Sequence, residues 1–411
     1  MTNVNDIVAW RLCLGCGACA YICPEDKVTL SDVVNEGIRP RVEDNHCGTC
    51  TDCLDVCPAY KNDHLPLLKE PGLIRELVPS VGPVLEIWEG HATDPELRFR
   101  GASGGVMTAL ALFCLEREAM HGVLHVGGDP ADPVRNRTRM SRSRQELLAC
   151  TGSRYAPASA CDGLHFIESA PAKCVFIGQP SEVTAMRKAE RLRPKLHENI
   201  GLAISFFCAG SPATSGTIEL LKSLHIRPDE VEEIRYRGLG WPGQFAVRKS
   251  GQTSFTPLMS YSESWGFLQR YRPYSTHLCP DGTGEDADIS CGDPWYREIQ
   301  PDEPGLSLVV VRTPLGRELL KRAQTAGYLA LKPANAQKLI TSQGGLIAKR
   351  GAIGGRIAMF RMLGLPTPRL HGFSLLRNWL RLPIGEKLRS TVGSIRRIFL
   401  RKYYRPMRLE R

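Results

Sequence analysis

From about residue 83 onward, apolar and polar positions divide the chain into short apolar runs alternating with amphipathic stretches. Residues 84–90 (Val-Leu-Glu-Ile-Trp-Glu-Gly) read as a strand, and 100–116 as a Ser/Gly turn feeding a long apolar helix. Residues 122–126, 173–178 and 200–207 are further strands. Helices over 182–189 and 214–224 follow the last two, and a strand and helix occupy 305–331. This alternation predicts an α/β unit built on a parallel core sheet. Ligands in such sheets gather at the carboxyl ends of the strands. The small-residue turns at 101–105, 152–155, 178–181 and 208–211 all fall at such ends. Beyond Pro366 the pattern changes. Leu375, Leu376, Trp379 and Leu380, then Val392, Ile395, Phe399 and Tyr403, recur at helical spacing among Arg and Lys. They predict a basic amphipathic helix, suited to an anionic membrane surface or to packing on the body or a partner.

The first 60 residues follow neither pattern; cysteines organise them. Cys13-Leu-Gly-Cys16-Gly-Ala-Cys19-Ala-Tyr-Ile-Cys23-Pro24 is repeated as Cys47-Gly-Thr-Cys50-Thr-Asp-Cys53-Leu-Asp-Val-Cys57-Pro58. This doubled C-x2-C-x2-C-x3-C-P run is the bacterial ferredoxin pattern for two 4Fe–4S clusters, in which the fourth cysteine of each run ligates the other cluster. One set is therefore Cys13, Cys16, Cys19 and Cys57, and the other Cys47, Cys50, Cys53 and Cys23. Three thiols in a tight loop can wrap three corners of a cube, while a short helical turn, ended by Pro24 or Pro58, carries the fourth away. Zinc modules use paired C-x2-C instead, and a disulfide framework belongs to a short secreted chain.

Composition sharpens this picture. The chain has 411 residues, enough for two or three units, with ordinary hydrophobic (42%) and charged (23%) content. Its formal net charge of +10 sits in one place: residues 366–411 hold 12 Lys and Arg against 2 acids, and the remainder is balanced. A neutral body argues against nucleic-acid binding. The N-terminus lacks a charged segment followed by an apolar stretch, so no signal peptide is expected. No apolar run has membrane-spanning length. Fifteen cysteines in a chain of this kind point to a reducing compartment. The expected location is cytoplasmic, or peripheral at the inner membrane face. The expected layout is a ferredoxin-type unit over 1–64, a Pro-rich linker over 65–82, an α/β unit over 83–365 and the basic tail over 366–411.

Three other stretches carry chemistry. Ser103 reads as an N-cap, and the Ser103-Gly104-Gly105 turn suits a phosphate or flavin pyrophosphate as well as it suits a capped core helix with nothing bound. Gly238-Leu-Gly240-Trp-Pro-Gly243 matches a dinucleotide fingerprint, but Pro242 and the residues after it read as turn then strand, which rejects that role. The acidic, glycine-rich loop from Cys279 to Trp295 reads as a shaped loop over a pocket.

Taken together these segments resemble the coenzyme F420 hydrogenase/dehydrogenase beta-subunit family over about residues 10–365. The doubled cysteine run carries the resemblance with Ala102-Ser103-Gly104-Gly105-Val106, Ser153-Arg154-Tyr155-Ala-Pro157, Gly178-Gln-Pro180, Phe207-Cys208-Ala-Gly210, Tyr236-Arg237-Gly238 and the 279–293 loop. Two departures stand out: Ser181 and Thr276 occupy positions where the family often has cysteine. The resemblance implies an FAD-binding α/β domain and an oxidoreductase that passes electrons between a hydride carrier and the clusters. It implies a flavin site drawn from Ser103, Gly104, Gly105, Thr108, Ser153, Arg154, Tyr155, Lys188, Cys208, Arg237 and Asp293. Implied partners are a small-molecule substrate or hydride carrier and a redox protein, with no nucleic acid. Two alternatives remain: a non-catalytic electron-transfer subunit feeding a partner, and a reductase of a tetrapyrrole or another unsaturated substrate.

Overall fold

The computed structural model describes residues 1–43, 47–300 and 302–408. The last three residues assigned to the tail, 409–411, lie outside the described part.

An eight-stranded sheet forms the centre. Its order from one edge is Leu329–Pro333, Glu86–Ala92, Ser307–Val311, Ile289–Gly292, Ile200–Phe206, Cys174–Gly178, Val123–Gly128 and Asn136–Ser141. The four strands from Ile289–Gly292 to Val123–Gly128 are mutually parallel. The three strands on one side and Asn136–Ser141 on the other pair antiparallel. The expected parallel core thus exists, inside a mixed sheet. The strands buried on both faces are the near-continuous apolar ones: every residue of Ser307–Val311 is buried. Helix Val106–Glu116 is apolar on all sides because it is covered on all sides, with Ala109, Leu110, Leu112 and Phe113 in the main core. It begins at Gly105, whose φ of +74° an L side chain rarely adopts; Ser103 is not its cap.

The N-terminal unit comprises helix Val4–Ala9, the hairpin of Val28–Val33 with Gly37–Val42, and a short helix within each cysteine run, Ala18–Ile22 and Asp52–Asp55. Its first cysteine loop docks on the α/β body: the Cys161 N–H donates to Cys16 O (3.1 Å) and Ser159 Oγ to Gly15 O (2.7 Å).

The segment just before the expected linker is a joint. Lys61–Asp63 pairs in parallel with Arg369–His371 of the tail. His64 is fully buried, its Nδ1 3.0 Å from Glu285 and its Nε2 3.0 Å from Asp286. Arg350, from the long helix Gly344–Met362, pairs with Glu285 from the other side. Gly82 completes the fit, since a Cβ there would lie 2.2 Å from Glu285 Oε2. The loop from Asp281 to Asp288 is therefore a buried polar knot, more than a cover over a pocket. Asp281 accepts the N–H groups of Thr283, Gly284 and Glu285 at 2.8–2.9 Å. Asp288 takes Arg187 at 2.9 Å and the Ala203 N–H at 2.8 Å. Every charge in the knot has a partner, which burial requires.

Burial alone would depress His64, but Asp286 and Glu285 outweigh it and raise its pKa from 6.5 to about 10. Its contribution to stability is therefore fully present below pH 6.5 and is lost as the pH rises through about 10. Chemical denaturation of His64→Ala should show a loss of about 3 kcal/mol at neutral pH, because two buried carboxylates lose their shared cation. The gap to the wild type should narrow as the pH approaches 10. A gap independent of pH would show that His64 acts by packing alone.

Candidate functional site

Each cysteine run places three thiols on a tight loop and sends its last cysteine past a helical turn towards the other run. Cys13, Cys16, Cys19 and Cys57 consequently line one apolar cavity, with Val4, Ile7, Leu30 and Pro58 completing its wall. Around Cys53 stand Cys47, Cys50 and Cys23. The first group is deep, and burial followed by the neighbouring thiols raises Cys16 and Cys19, with Cys57 pushed up to about 12. The second group is nearer the surface: Cys50 is exposed and Cys47, Cys53 and Cys23 are half-buried. Four soft donors around an apolar cavity fit an iron–sulfur cluster, whose binding would draw the protons off these thiols.

Lys188 also belongs to this region. Its ammonium donates to Cys57 O (3.0 Å) and Lys61 O (2.8 Å), holding a positive charge against the first thiol group. Glu182 stands behind the same loop, fully buried, accepting the N–H groups of Ala160 (2.9 Å) and Gln179 (2.7 Å). Burial raises its pKa to about 7.

A second cavity adjoins the first thiol group. It lies between Leu14 and Gly15 of the cysteine run and the strand-end turns Gln179–Ser181 and Cys208–Pro212, with Cys279, Lys349 and Arg39 also on its wall. The departures Ser181 and Thr276 line this same cavity with Cys208 and Cys279, so four positions far apart in sequence meet in one place. Lys349 is half-buried and donates to Ala209 O (3.2 Å). Burial lowers its pKa, opposed by the Cys279 and Cys208 thiols beside it. A third, wider cavity follows Gly128 and is lined by Ser153, Arg154, Arg139, Arg235, Arg237 and Arg248, with Glu232 and Glu233 paired to Arg248 on the same wall. Arg39 in one cavity and Arg235 in the other are both buried, and the Nε of each makes no hydrogen bond among the described residues. Orphaned guanidinium nitrogens in strand-end cavities fit an anionic ligand such as a flavin pyrophosphate.

The eleven residues expected to form a flavin site fall into separate groups. Ser103 Oγ is 2.9 Å from Ser307 Oγ, and the Gly104 N–H donates to that same Ser307 oxygen, so this turn is occupied by the neighbouring strand. Thr108 is half-buried one turn further along. Ser153 and Arg154 line the arginine-rich cavity, but Arg154 is spent on Asn136 Oδ1 and three backbone carbonyls. Tyr155 packs in an aromatic group with Tyr236, Tyr261 and Trp265. Arg237 makes a two-pronged pair with Asp293 at 2.8 and 2.9 Å beneath Tyr261 and Trp295. Only Cys208 stands in the cavity next to the thiols, and Lys188 serves the thiols directly. Arg39, Glu182 and Lys349 escape a reading of the sequence. Glu182 looks like an ordinary N3 residue of helix Pro180–Ala189, and nothing local to Lys349 distinguishes it from the basic residues around it.

The fold and the thiol groups define an iron–sulfur electron-transfer protein. Comparison with known proteins agrees: residues 12–60 match the 4Fe-4S dicluster domain. Residues 87–164 match the N-terminal part, and 172–337 the C-terminal part, of the coenzyme F420 hydrogenase/dehydrogenase beta subunit. The chain belongs to that beta-subunit family of electron-transfer oxidoreductases. Relatives include the coenzyme F420 hydrogenase beta subunits of Methanococcus voltae (26% identical; 68% of this chain, 95% of the relative) and Methanothermobacter thermautotrophicus (26%; 70% and 99%). The coenzyme F420-dependent sulfite reductase of Methanocaldococcus jannaschii is 24% identical over 77% of this chain and 47% of its own length. Among solved structures, a chain of the F420-reducing [NiFe] hydrogenase complex of Methanosarcina barkeri shares the fold, with a TM-score of 0.54 and 21% identity over 71% of this chain and 97% of that one.

The crossed pairing of the thiols is directly testable. Cys13→Ala and Cys57→Ala, although 44 positions apart, should remove the same half of the iron and leave identical electron paramagnetic resonance spectra after anaerobic reconstitution and reduction. Matching of Cys57→Ala to Cys50→Ala instead would assign each run its own cluster.

Proposed function

We propose that the protein is an FAD-containing iron–sulfur oxidoreductase, passing electrons between a two-electron hydride carrier, coenzyme F420 or a close analogue, and two 4Fe–4S clusters. The carrying observation is the cavity shared by Gly15 of the first cysteine run and the strand-end turns at Gln179 and Cys208. A ligand there has cluster thiols on one side and the ends of the parallel strands on the other. When bound, a flavin exchanges two electrons with a hydride carrier and single electrons with the clusters.

The chain's residues divide the remaining work. Cys13, Cys16, Cys19 and Cys57 would hold the inner cluster, and Cys47, Cys50, Cys53 and Cys23 the outer one. The apolar wall of the inner cavity keeps water from the thiolates, and Lys188 offsets their charge. Arg39 offers a positive nitrogen to a phosphate, and Lys349 holds a cation between Cys208 and Cys279. Glu182, poised near neutral by burial, can take or give a proton behind the first loop. The exposure of Cys50 favours electron exit to a partner protein at the outer thiol group. The relatives named as hydrogenase subunits support such a partner.

Anaerobic reconstitution with iron, sulfide and FAD should give a yellow-brown protein that retains flavin through desalting. It should then reduce a viologen dye with reduced F420 as donor. Absence of retained flavin, or dye reduction that is indifferent to the hydride donor, would overturn the reading.

A further inference from the structure

The C-terminal helix Ile384–Leu400 is packed inside out. Its buried side chains are Ser390, Ser394 and Ile398, turned towards the long helix Gly344–Met362. Trp379 Nε1 donates to Ser390 Oγ at 3.0 Å, and a Cβ on Gly355 would lie 2.6 Å from that oxygen, so the two helices meet at small residues. The apolar residues point the other way. Ile384 is 76% exposed, Leu388 55%, Val392 59% and Phe399 55%. Leu388 and Ser390 differ by about 200° around the helix axis, which puts the apolar row opposite the packed face. Leu376 and Leu380 of the preceding helix Leu375–Leu380 are exposed as well and extend the patch. A contiguous apolar surface of this kind on an otherwise ordinary chain marks a contact site.

Charge identifies what covers it. Arg377, Arg381, Arg389, Arg396 and Arg401 are all exposed along the same two helices. The whole net charge of the chain resides in residues 366–411. The outward row from Ile384 to Leu400 contains no acid or amide among its exposed residues. A protein interface of that length would carry hydrogen-bonding groups to set its register. A lipid headgroup layer asks only for an apolar stripe with a cationic border.

We propose that Leu375–Leu380 and Ile384–Leu400 form a peripheral membrane-binding surface that inserts its leucine, isoleucine and phenylalanine side chains among the headgroups of anionic lipids. The tail is fixed to the cysteine-bearing unit. The Met407 N–H donates to Ala9 O at 2.7 Å, Arg11 donates to Arg405 O at 2.9 Å, and the Arg11 guanidinium lies over Tyr403. Docking would therefore hold the thiol groups close to the bilayer surface.

The test is vesicle flotation of the full-length, anaerobically purified protein. It should float with phosphatidylcholine vesicles containing phosphatidylglycerol, should not float with phosphatidylcholine alone, and should be released by salt. Leu388→Asp with Val392→Asp should weaken binding at least about ten-fold, and Arg396→Gln about five-fold. Both changes are at exposed positions, so thermal unfolding should stay as in the wild type. Equal binding to neutral vesicles, or full binding by the double variant, would overturn the proposal. So would a wild type that binds no vesicle but forms a dimer that the double variant cannot form, because the stripe would then be a protein contact.

Discussion

Glu285 and Asp288 are buried and Asp286 is largely so, and such charges persist only with partners arranged around them. Those partners come from every part of the chain. His64 arrives from just after the cysteine runs, Arg187 from helix Pro180–Ala189, and Arg350 from the helix Gly344–Met362. Arg312 reaches Pro83 O and Thr283 O at 2.7 and 2.8 Å, closing the near side. Leaving any one carboxylate unpaired would cost several kcal/mol, a large share of an ordinary domain's stability. The relative placement of the thiol groups and the central sheet thus follows from charge pairing at one loop, supported by apolar packing.

That placement has a chemical consequence. The knot lies beside Cys279 and Asp281, which line the cavity reached also by Gly15 and Cys208. The first cysteine loop is clipped to the body at Ser159 and Cys161, and Glu182 fastens the other side of that turn. The cavity thus lies beside the inner thiols, where transfer between a bound ligand and a cluster would need it. The ion pair of Arg237 with Asp293, roofed by Tyr261 and Trp295, stiffens the far edge in the same way. Several arginines in the family-like motifs therefore build walls, and among the described residues buried guanidinium nitrogens without a hydrogen bond belong to Arg39, Arg235 and Arg350.

The cysteine runs were legible as motifs, because their spacing encodes a local loop; in the structure Cys13, Cys16, Cys19 and Cys57 line one cavity, and Cys47, Cys50 and Cys23 stand near Cys53. The alternating strands and helices were legible too, since burial on both faces leaves unbroken apolar runs such as Ser307–Val311. The antiparallel flanks of the sheet were not, because strand direction depends on connections that composition does not record. Nothing in the local sequence of Lys61–His64 marks it as a joint. Its polarity is consumed by partners more than two hundred residues away. Ser103 and Arg154 read as ligand groups because a free polar group and a partnered one are identical in sequence; in the structure Ser103 meets Ser307, and Arg154 meets backbone carbonyls. Helical spacing revealed an amphipathic tail, but only packing shows that serines face inward and leucines outward.

In the proposed relay, hydride equivalents enter at the shared cavity and electrons leave through the cysteine runs. Anaerobic stopped-flow spectroscopy of flavin-loaded, reconstituted protein mixed with reduced F420 tests it most directly. Reduction of the flavin should be followed by bleaching of the iron–sulfur absorbance, with bleaching diminished in Cys16→Ser. Flavin reduction with the iron–sulfur absorbance unchanged, or bleaching in protein free of flavin, would contradict it.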